Sequence, residues 1–208
     1  MVQQFQQVIG SAAELRAVVG TPHAMAVDKA ITEIDEHCRA FIAQSPFVLL
    51  ATSNASGRCD VSPKGDAPGF VQVLDAHTLA IPDRPGNRRA DSFSNILDNP
   101  HAGLLFMVPG TDETLRVEGE ARIVADPALL ESMAVNGHAP KLALVIDVKS
   151  AFLHCAKCIR RSELWETETW VSRDEVPSAG EMIRAAVGVE TPAEEIQAGY
   201  DTSVKKLY

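Results

Sequence analysis

Arg84, Arg88 and Arg89 are the residues whose types and spacing point most clearly to chemistry. They lie around a Pro-Gly turn that follows an apolar run, and the pattern predicts a helix from Asn87 to Asp98 with Arg88 and Arg89 in its first turn. A helix N-terminus and paired guanidinium groups both bind anions, whereas cations alone are electrostatically unfavourable there. The two adjacent arginines therefore indicate a site for a phosphate group.

The charge of the whole chain makes this basic cluster informative. The 208 residues include 28 acidic and 19 basic side chains, so the formal net charge is -9. A negative field disfavours non-specific binding to nucleic acid or to anionic membranes. The alternative to phosphate binding is a solvated surface on which the arginines pair with neighbouring carboxylates, namely Asp83, Asp91 or Asp98.

A second group of reactive residues is the segment 154–158, with the sequence His-Cys-Ala-Lys-Cys. Two cysteines at this spacing occur in zinc sites, but a tetrahedral site needs further ligands, and Cys38 and Cys59 are isolated. A redox dithiol normally begins a helix of a thioredoxin-like unit, which the pattern does not predict. We therefore expect small buried cysteines at a strand end and no metal site.

Motifs and composition narrow the class of protein further. The chain contains no Gly-x-Ser-x-Gly, Walker-type or His-Glu-x-x-His motif, so hydrolase and nucleoside triphosphatase functions have little support. Hydrophobic residues make up 46% and charged residues 23%, as in soluble globular proteins. No signal-like start and no apolar run near the roughly 18 residues of a membrane span are found. With only four cysteines, a cytoplasmic protein is expected.

The elements that position these residues fall into three zones. The first, from Ser11 to about Gln44, is predicted to be helical. Ser11 and Glu14 have the spacing of a capping box, and Gly20-Thr21-Pro22 interrupts the helix. An apolar stripe at helical spacing then predicts a second helix that ends before Pro46; its members are Ala26, Ala30, Ile34, His37 or Cys38, Phe41 and Ile42.

The second zone, from Phe47 to about Lys149, is dominated by strands. Apolar runs and alternating patterns predict strands over 47–53, 70–74, 78–81, 104–108, 114–124 and 142–148, with 151–155 as an extension beyond a kink. Short helices are predicted over 87–98 and from Pro127 to about Val135. Many strands joined by hairpins favour an antiparallel barrel over a doubly wound parallel sheet.

The third zone, from about Ser162 onward, is acidic and becomes helical toward its end. Capping-box spacings occur at Ser178–Glu181 and at Thr191–Glu194. We predict a single domain over residues 1–208, with N-terminal helices (about 11–44) and a C-terminal helical extension (about 175–208).

The order of strand, Gly-containing turn, two basic residues, helix and Asn99-Pro100 resembles the pyridoxamine-5′-phosphate-oxidase-like family of FMN-binding split β-barrels. The segments 83–100 and 113–119 are similar to an uncharacterised FMN-dependent branch of it, and the resemblance extends from about Ile31 to Trp165. It implies a mainly β fold with flanking helices (α+β), a split antiparallel β-barrel, and a homodimer with two FMN molecules in clefts between the subunits.

The resemblance also implies site residues on the central strands. Arg88 and Arg89 match the pair that holds the FMN phosphate, and Pro82 and Asp83 match the strand end that borders the flavin. Ser62, Pro63 and Lys64 match the preceding strand, which faces the flavin ring and ribityl chain. A cation such as Lys64 near the N1–O2 edge would stabilise reduced flavin; without the resemblance, Lys64 is interpreted as a surface lysine.

Further residues are implied on the neighbouring strand and toward the C-terminus. Thr114 and Arg116 match positions that often reach the flavin of the partner subunit, although Arg116 also fits an ordinary solvent-facing strand position. The remaining implied phosphate or ring contacts are Lys157, Arg161 and Trp165. Trp170 fits a core or an interface position equally well.

The chain departs from true pyridoxamine phosphate oxidases near its end. Those enzymes carry a Trp and an Arg-Leu-His-type motif that binds the substrate phosphate, whereas acidic residues surround Trp165 and Trp170 here. Because like charges repel, oxidation of pyridoxamine phosphate is not predicted. We expect an FMN-dependent oxidoreductase of unknown substrate, without a predicted catalytic residue. The alternatives are a non-catalytic flavin-binding sensor, carrier or stress-associated protein, and a deazaflavin or haem protein.

Overall fold

Seven β-strands form one antiparallel sheet in the computed structural model, which describes residues 5–208. The strands are β1 (Phe47–Ser53), β2 (Cys59–Gly65), β3 (Gln72–Val73), β4 (Thr78–Pro82), β5 (His101–Met107), β6 (Thr114–Val124) and β7 (Ala143–His154). Their order in the sheet is β2-β1-β5-β6-β7-β4-β3. The predicted mixture of an antiparallel sheet with flanking helices is confirmed.

Eight α-helices accompany the sheet within residues 5–208. They are α1 (Ala12–Val19), α2 (Ala24–Asp28), α3 (Glu36–Gln44), α4 (Asp91–Asp98), α5 (Pro127–Ser132), α6 (Lys157–Ser162), α7 (Ala179–Val187) and α8 (Ala193–Val204). None of these described helices has the length and apolar composition needed to cross a bilayer.

The main core lies where the sheet meets α3 and α4. Phe106, Leu50 and Leu104 are among the largest fully buried side chains of the strands, and Ile42 of α3 and Ile96 of α4 pack into the same cluster. Burial of each such side chain contributes about 1.5–3 kcal/mol relative to exposure. Because α4 is packed by its apolar side against the sheet, the loop that precedes it is fixed at the sheet surface.

The predicted helical stripe between residues 26 and 42 does not form one helix. Between α2 and α3 the backbone extends along β7, where Ile31 and Ala151 exchange two N–H···O bonds of 2.9 and 2.8 Å. α3 then starts as a separate helix with Asp35 as its N-cap, and the Asp35 carboxylate accepts a 2.7 Å hydrogen bond from the Cys38 amide. The prediction was wrong because pairing with a distant strand replaces local helical hydrogen bonds.

The two longest strands, β6 and β7, pair along their whole length with one irregularity. The predicted kink between 148 and 151 is a register shift opposite Glu118 and Gly119, and β7 continues through it to His154. A Cβ on Gly119 would overlap the carbonyl oxygen of Asp147 and would lie 2.9 Å from Ile146 Cγ2. A glycine is therefore required at this bulge.

The chain ends in a helical hairpin made of α7 and α8. The predicted capping box at Ser178 and Glu181 is confirmed, whereas the one predicted at Thr191 is not formed, since Pro192 takes the cap position without a side-chain bond. Gly180 lets the two helices approach closely, because a Cβ there would overlap the carbonyl oxygen of Ala193. The hairpin is thus a defined unit.

Candidate functional site

A cavity of about 890 Å³ opens at one end of the sheet. Its walls are residues 60–64 of β2, the segment 83–93 that runs from the end of β4 into the first turn of α4, the loop 138–142 before β7, and Tyr208. This volume is typical of sites for cofactors and drug-sized ligands. Six of the residues predicted for a cofactor site line it: Ser62, Pro63, Lys64, Asp83, Arg88 and Arg89.

The segment between β4 and α4 has an unusual backbone. Arg88 and Ala90 have φ angles of 61° and 55°, which lie in the left-handed region that non-glycine residues rarely adopt. The predicted helix start at Asn87 was wrong, since α4 begins at Asp91 with Ala90 as its N-cap and no side-chain cap. Both arginines therefore lie before the helix. Such strain, of order 1–3 kcal/mol per residue, is found most often at functional sites.

The three arginines of this segment differ in their partners. Arg89 Nε lies 2.7 Å from Asp91 Oδ2, an exposed pair of the kind that the surface alternative predicted. This pairing raises the pKa of Arg89 and lowers that of Asp91. Arg88 has no hydrogen bond or ion pair with any residue between 5 and 208. Arg88 is therefore the cation of this segment that is available to a ligand.

Arg84 pairs with Asp66 and not with Asp83, Asp91 or Asp98, the carboxylates named in the surface alternative. Its Nε lies 2.5 Å from Asp66 Oδ2, and the side chains are 15% and 2% exposed, respectively. The hydroxyl of Tyr208 donates a 2.5 Å hydrogen bond to Asp66 Oδ1, and the Arg84 guanidinium lies 5.7 Å from the Tyr208 ring centroid. Burial disfavours the charge of Asp66, but the bonds from Tyr208, Ala67 and Arg84 outweigh it and lower the pKa of Asp66.

Lys64 and Asp83 provide opposite charges in the same cavity. Burial raises the pKa of the Asp83 carboxyl, and the nearby positive charge of Lys64 opposes this effect. The Asp83 carboxyl forms no hydrogen bond within the described part of the chain, although its backbone amide donates to the Leu142 carbonyl at 2.9 Å. A carboxyl of this kind can donate or accept a proton at a bound ligand.

Asp60 and Ser92 belong to the cavity wall, and neither was predicted. The Ser92 hydroxyl donates a 2.7 Å hydrogen bond to Asp60 Oδ2 and so ties the first turn of α4 to β2. Tyr208 was also missed, as it lies 142 residues from Asp66 in the chain and has no local motif around it.

The other predicted site residues lie outside this cavity in the single chain. Pro82 ends β4 and is buried, as is Thr114 at the start of β6. Arg116 is half-exposed, lies 2.8 Å from Glu118 in an ion pair and stacks on Phe152. Their assignment to a cofactor site stays a prediction.

Lys157, Arg161 and Trp165 lie at and after α6, where a second cavity of about 530 Å³ is found. Trp165 lines this second cavity, and its indole N–H donates to the Thr111 carbonyl at 2.9 Å. Glu163, Glu166 and Glu168 line the same space, so its walls are acidic. The roles of Lys157, Arg161 and Trp165 also stay predictions.

The cysteine-containing segment follows the end of β7, but the predicted burial of its cysteines was wrong. Cys155 and Cys158 are exposed free thiols on either side of the start of α6. Between residues 5 and 208, no group of three or more His, Cys, Asp or Glu side chains is arranged to hold a metal ion.

Comparison with known proteins identifies a family for the central part of the chain. The model of the family described as pyridoxamine 5′-phosphate oxidase matches residues 34–155. This range contains all seven strands and most of the cavity wall, but not Tyr208. A search of curated proteins finds no match.

Solved structures of similar architecture come from several bacteria. HupZ of Group A Streptococcus is 21% identical, with 58% of this chain and 93% of that chain covered at a TM-score of 0.47. An FMN-binding protein of Syntrophomonas wolfei is 12% identical (56% and 83% covered, TM-score 0.45). General Stress Protein 26 of Bacillus anthracis is 16% identical (56% and 93% covered, TM-score 0.43). At TM-scores below 0.5, these likenesses add no support to the family match.

Proposed function

Since the chain belongs to the pyridoxamine 5′-phosphate oxidase family, we propose that it binds FMN in the 890 Å³ cavity and acts as an FMN-dependent oxidoreductase. The family resemblance implies FMN, and the residues of the cavity fit that cofactor. They provide cations for a phosphate group, a lysine and a carboxyl for the polar edge of a ring, and enough volume for a planar ligand.

The observation that carries this proposal is the unpaired Arg88. Its side chain lines the cavity, its backbone is held in the left-handed region, and no described residue neutralises its charge. The same wall contains Asp60, Asp83 and Asp91, and the chain has a net charge of -9, so an arginine there would be expected to pair with a carboxylate. A phosphate would satisfy Arg88 together with Arg89, each charge-assisted hydrogen bond contributing about 1.5–3 kcal/mol.

FMN also needs polar groups at the edge of its ring, and Lys64 and Asp83 would provide them. When bound, the flavin supplies hydride or electron transfer. Lys64 would hold its ammonium group near the negative charge of the reduced ring and so favour reduction. Asp83 would hold or release a proton at the ligand, because its carboxyl faces the cavity without another partner.

We further propose a split β-barrel that works as a homodimer in the cytoplasm, as the family resemblance implies. In that arrangement, Thr114 and Arg116 would contact the flavin of the partner subunit. Lys157, Arg161 and Trp165 are the further proposed contacts to the phosphate or the ring. Large apolar side chains exposed on the single chain support an interface between copies, since exposed apolar patches mark interaction sites.

A non-catalytic flavin carrier or sensor is the second candidate. The observation that favours it is the acidic wall around Trp165, where Glu163, Glu166 and Glu168 would repel a phosphorylated substrate. Steady-state reduction by a nicotinamide cofactor, or turnover that consumes oxygen, would separate an enzyme from a carrier. Bound flavin without either activity would favour the carrier.

The test of FMN binding begins with protein purified without added flavin. We expect a flavin absorption spectrum and release of a compound with the mass of FMN. The double variant Arg88→Ala/Arg89→Ala should bind FMN at least about 100-fold more weakly, because two or more charge-assisted bonds are lost. Titration of the flavin-free protein with FMN, followed by fluorescence, measures this change.

The matched control is Arg16→Ala/Arg122→Ala. It removes the same charge from two exposed arginines that do not line the cavity, and we expect unchanged FMN affinity. If the Arg88/Arg89 variant binds FMN as tightly as this control, the phosphate site has been placed wrongly.

A further inference from the structure

Tyr208 reaches the cavity from outside the part of the chain that matches the family. The match ends at residue 155, whereas Tyr208 follows α8 and lies in the cavity wall with Lys64, Asp83 and Arg88. An aromatic side chain brought to a cavity from 142 residues away requires a structural explanation.

Two contacts fix the position of the Tyr208 ring. Its hydroxyl is bonded at 2.5 Å to Asp66, and the Arg84 guanidinium lies 5.7 Å from the ring centroid. Asp66 and Arg84 form a nearly buried pair, and this pair is anchored at the ends of β2 and β4. Although Tyr208 remains 41% exposed, it is therefore held by groups that are themselves rigidly placed.

The same contacts tie the end of the C-terminal segment to the sheet. Within residues 5–208, the bond from Tyr208 to Asp66 is the only hydrogen bond or ion pair that links residues 179–208 to the sheet and its connecting loops. The helices α7 and α8 otherwise contact one another, most closely at Gly180 and Gln197. The segment that follows α8 is thus tied to the cavity wall through one aromatic side chain.

We propose that Tyr208 is a binding residue of the cavity, whose ring packs on the planar heteroaromatic ring of the ligand while Asp66 and Arg84 hold it in place. This inference rests on the proposed function, in which that ligand is FMN. Aromatic rings stack favourably at offset geometry, and a tyrosine anchored by its hydroxyl has little conformational freedom left to lose on binding. Tyr208 then forms the part of the wall that comes from beyond the family match.

The test compares the release of FMN from Tyr208→Ala, Tyr208→Phe and the unaltered chain. Loss of the ring should accelerate dissociation by about tenfold, the size of one aromatic stacking contact. Tyr208→Phe keeps the ring and loses only the hydrogen bond to Asp66, so we expect FMN to dissociate about threefold faster. Bound FMN should also fluoresce more strongly in Tyr208→Ala, because a stacked tyrosine quenches flavin emission.

The control is Tyr200→Ala in the same hairpin, at a position that is 45% exposed and does not line the cavity. FMN release from it should match the unaltered chain. Release from Tyr208→Ala at that same rate, with FMN bound normally, would overturn this inference and leave the proposed function standing. Failure of the unaltered chain to bind FMN would overturn both. If Tyr208→Ala lowers the melting temperature, Tyr208→Phe is the variant that tests the inference. About threefold faster FMN release with the flavin emission still quenched supports it, and release at the rate of the unaltered chain overturns it.

Discussion

Single residues in the cavity differ in how their charges are compensated. The Asp66–Arg84 pair is nearly buried and carries a further bond from Tyr208, so it serves to fix the geometry of the wall. The exposed Arg89–Asp91 pair contributes little to stability, because water screens it, and a ligand phosphate can replace the carboxylate. Of the three arginines in segment 83–93, Arg88 is the one without a partner among the described residues, which makes it the arginine most dependent on a ligand.

Asp83 leads to a prediction about pH. Burial raises its pKa above the ordinary 3.8, so the folded state binds the Asp83 proton more tightly than the unfolded state does. The stabilisation from that proton is complete below the ordinary carboxyl pKa and is lost as pH rises through the raised value. We therefore expect Asp83→Asn to raise the melting temperature of flavin-free protein at neutral pH, with a gain that shrinks as pH falls toward 4.

The contrasting variant is Asp66→Asn, which we expect to lower the melting temperature at neutral pH. The pKa of Asp66 is lowered, so its charge stabilises the folded protein above the ordinary carboxyl pKa, and this contribution is lost as pH falls through the lowered value. Melting temperatures measured from pH 4 to 8 would show the two variants on opposite sides of the unaltered chain at neutral pH. An equal effect of Asp83→Asn on the melting temperature at every pH would contradict the raised pKa of Asp83.

At the level of elements, patterns that depend on neighbouring residues were predicted well. Alternation over Thr114–Val124 predicted the exact bounds of β6, and Asp126-Pro127 predicted the start of α5. Elements that depend on distant partners were not predicted. Ile31 pairs with Ala151 of β7 where a continuous helix was expected, and α4 begins after the strained loop. The six predicted residues of the cavity wall follow from the family pattern, whereas Asp60, Ser92 and Tyr208 depend on contacts across the fold.

The bulge between β6 and β7 allows a test of element geometry. Gly119→Ala places a methyl group against the Asp147 carbonyl and 2.9 Å from Ile146 Cγ2, both in a strand that cannot move freely. We expect a loss of about 1–3 kcal/mol in the free energy of unfolding, the usual cost of overpacking. Urea unfolding measures this loss.

The control for Gly119 is Gly103→Ala in β5, where the new methyl group would meet only Ala51 Cβ at 3.9 Å. Its free energy of unfolding should stay close to that of the unaltered chain. Equal stability of the two variants would show that the bulge tolerates a side chain.

On the scale of the whole molecule, apolar side chains are unevenly distributed. Among those least covered are Phe5, Val8, Val18 and Met25 before the sheet, each more than 70% exposed, and Met182 and Val187 in α7. α1 and α2 contain no buried residue, so their apolar side chains gain nothing from folding in the single chain. This distribution is expected of a chain that buries these surfaces against a second copy.

We therefore predict a homodimer in solution. Light scattering after size-exclusion chromatography should give twice the mass of one chain at micromolar concentration, and removal of FMN should shift the equilibrium toward single chains if flavin lies between subunits. The mass of one chain in the presence of saturating FMN would contradict the dimer.

The sequence by itself determined the strand-rich antiparallel class, the bounds of the longest strands and the basic segment 83–100, since alternation, turn residues and caps act over a few neighbouring residues. Only the tertiary structure decided which charges are compensated: it joined Arg84 to Asp66 and Tyr208, and left Arg88 without a partner within residues 5–208. The reason is physical. Burial and pairing depend on groups that are distant in the chain and meet only when the sheet has formed and Tyr208 has reached it.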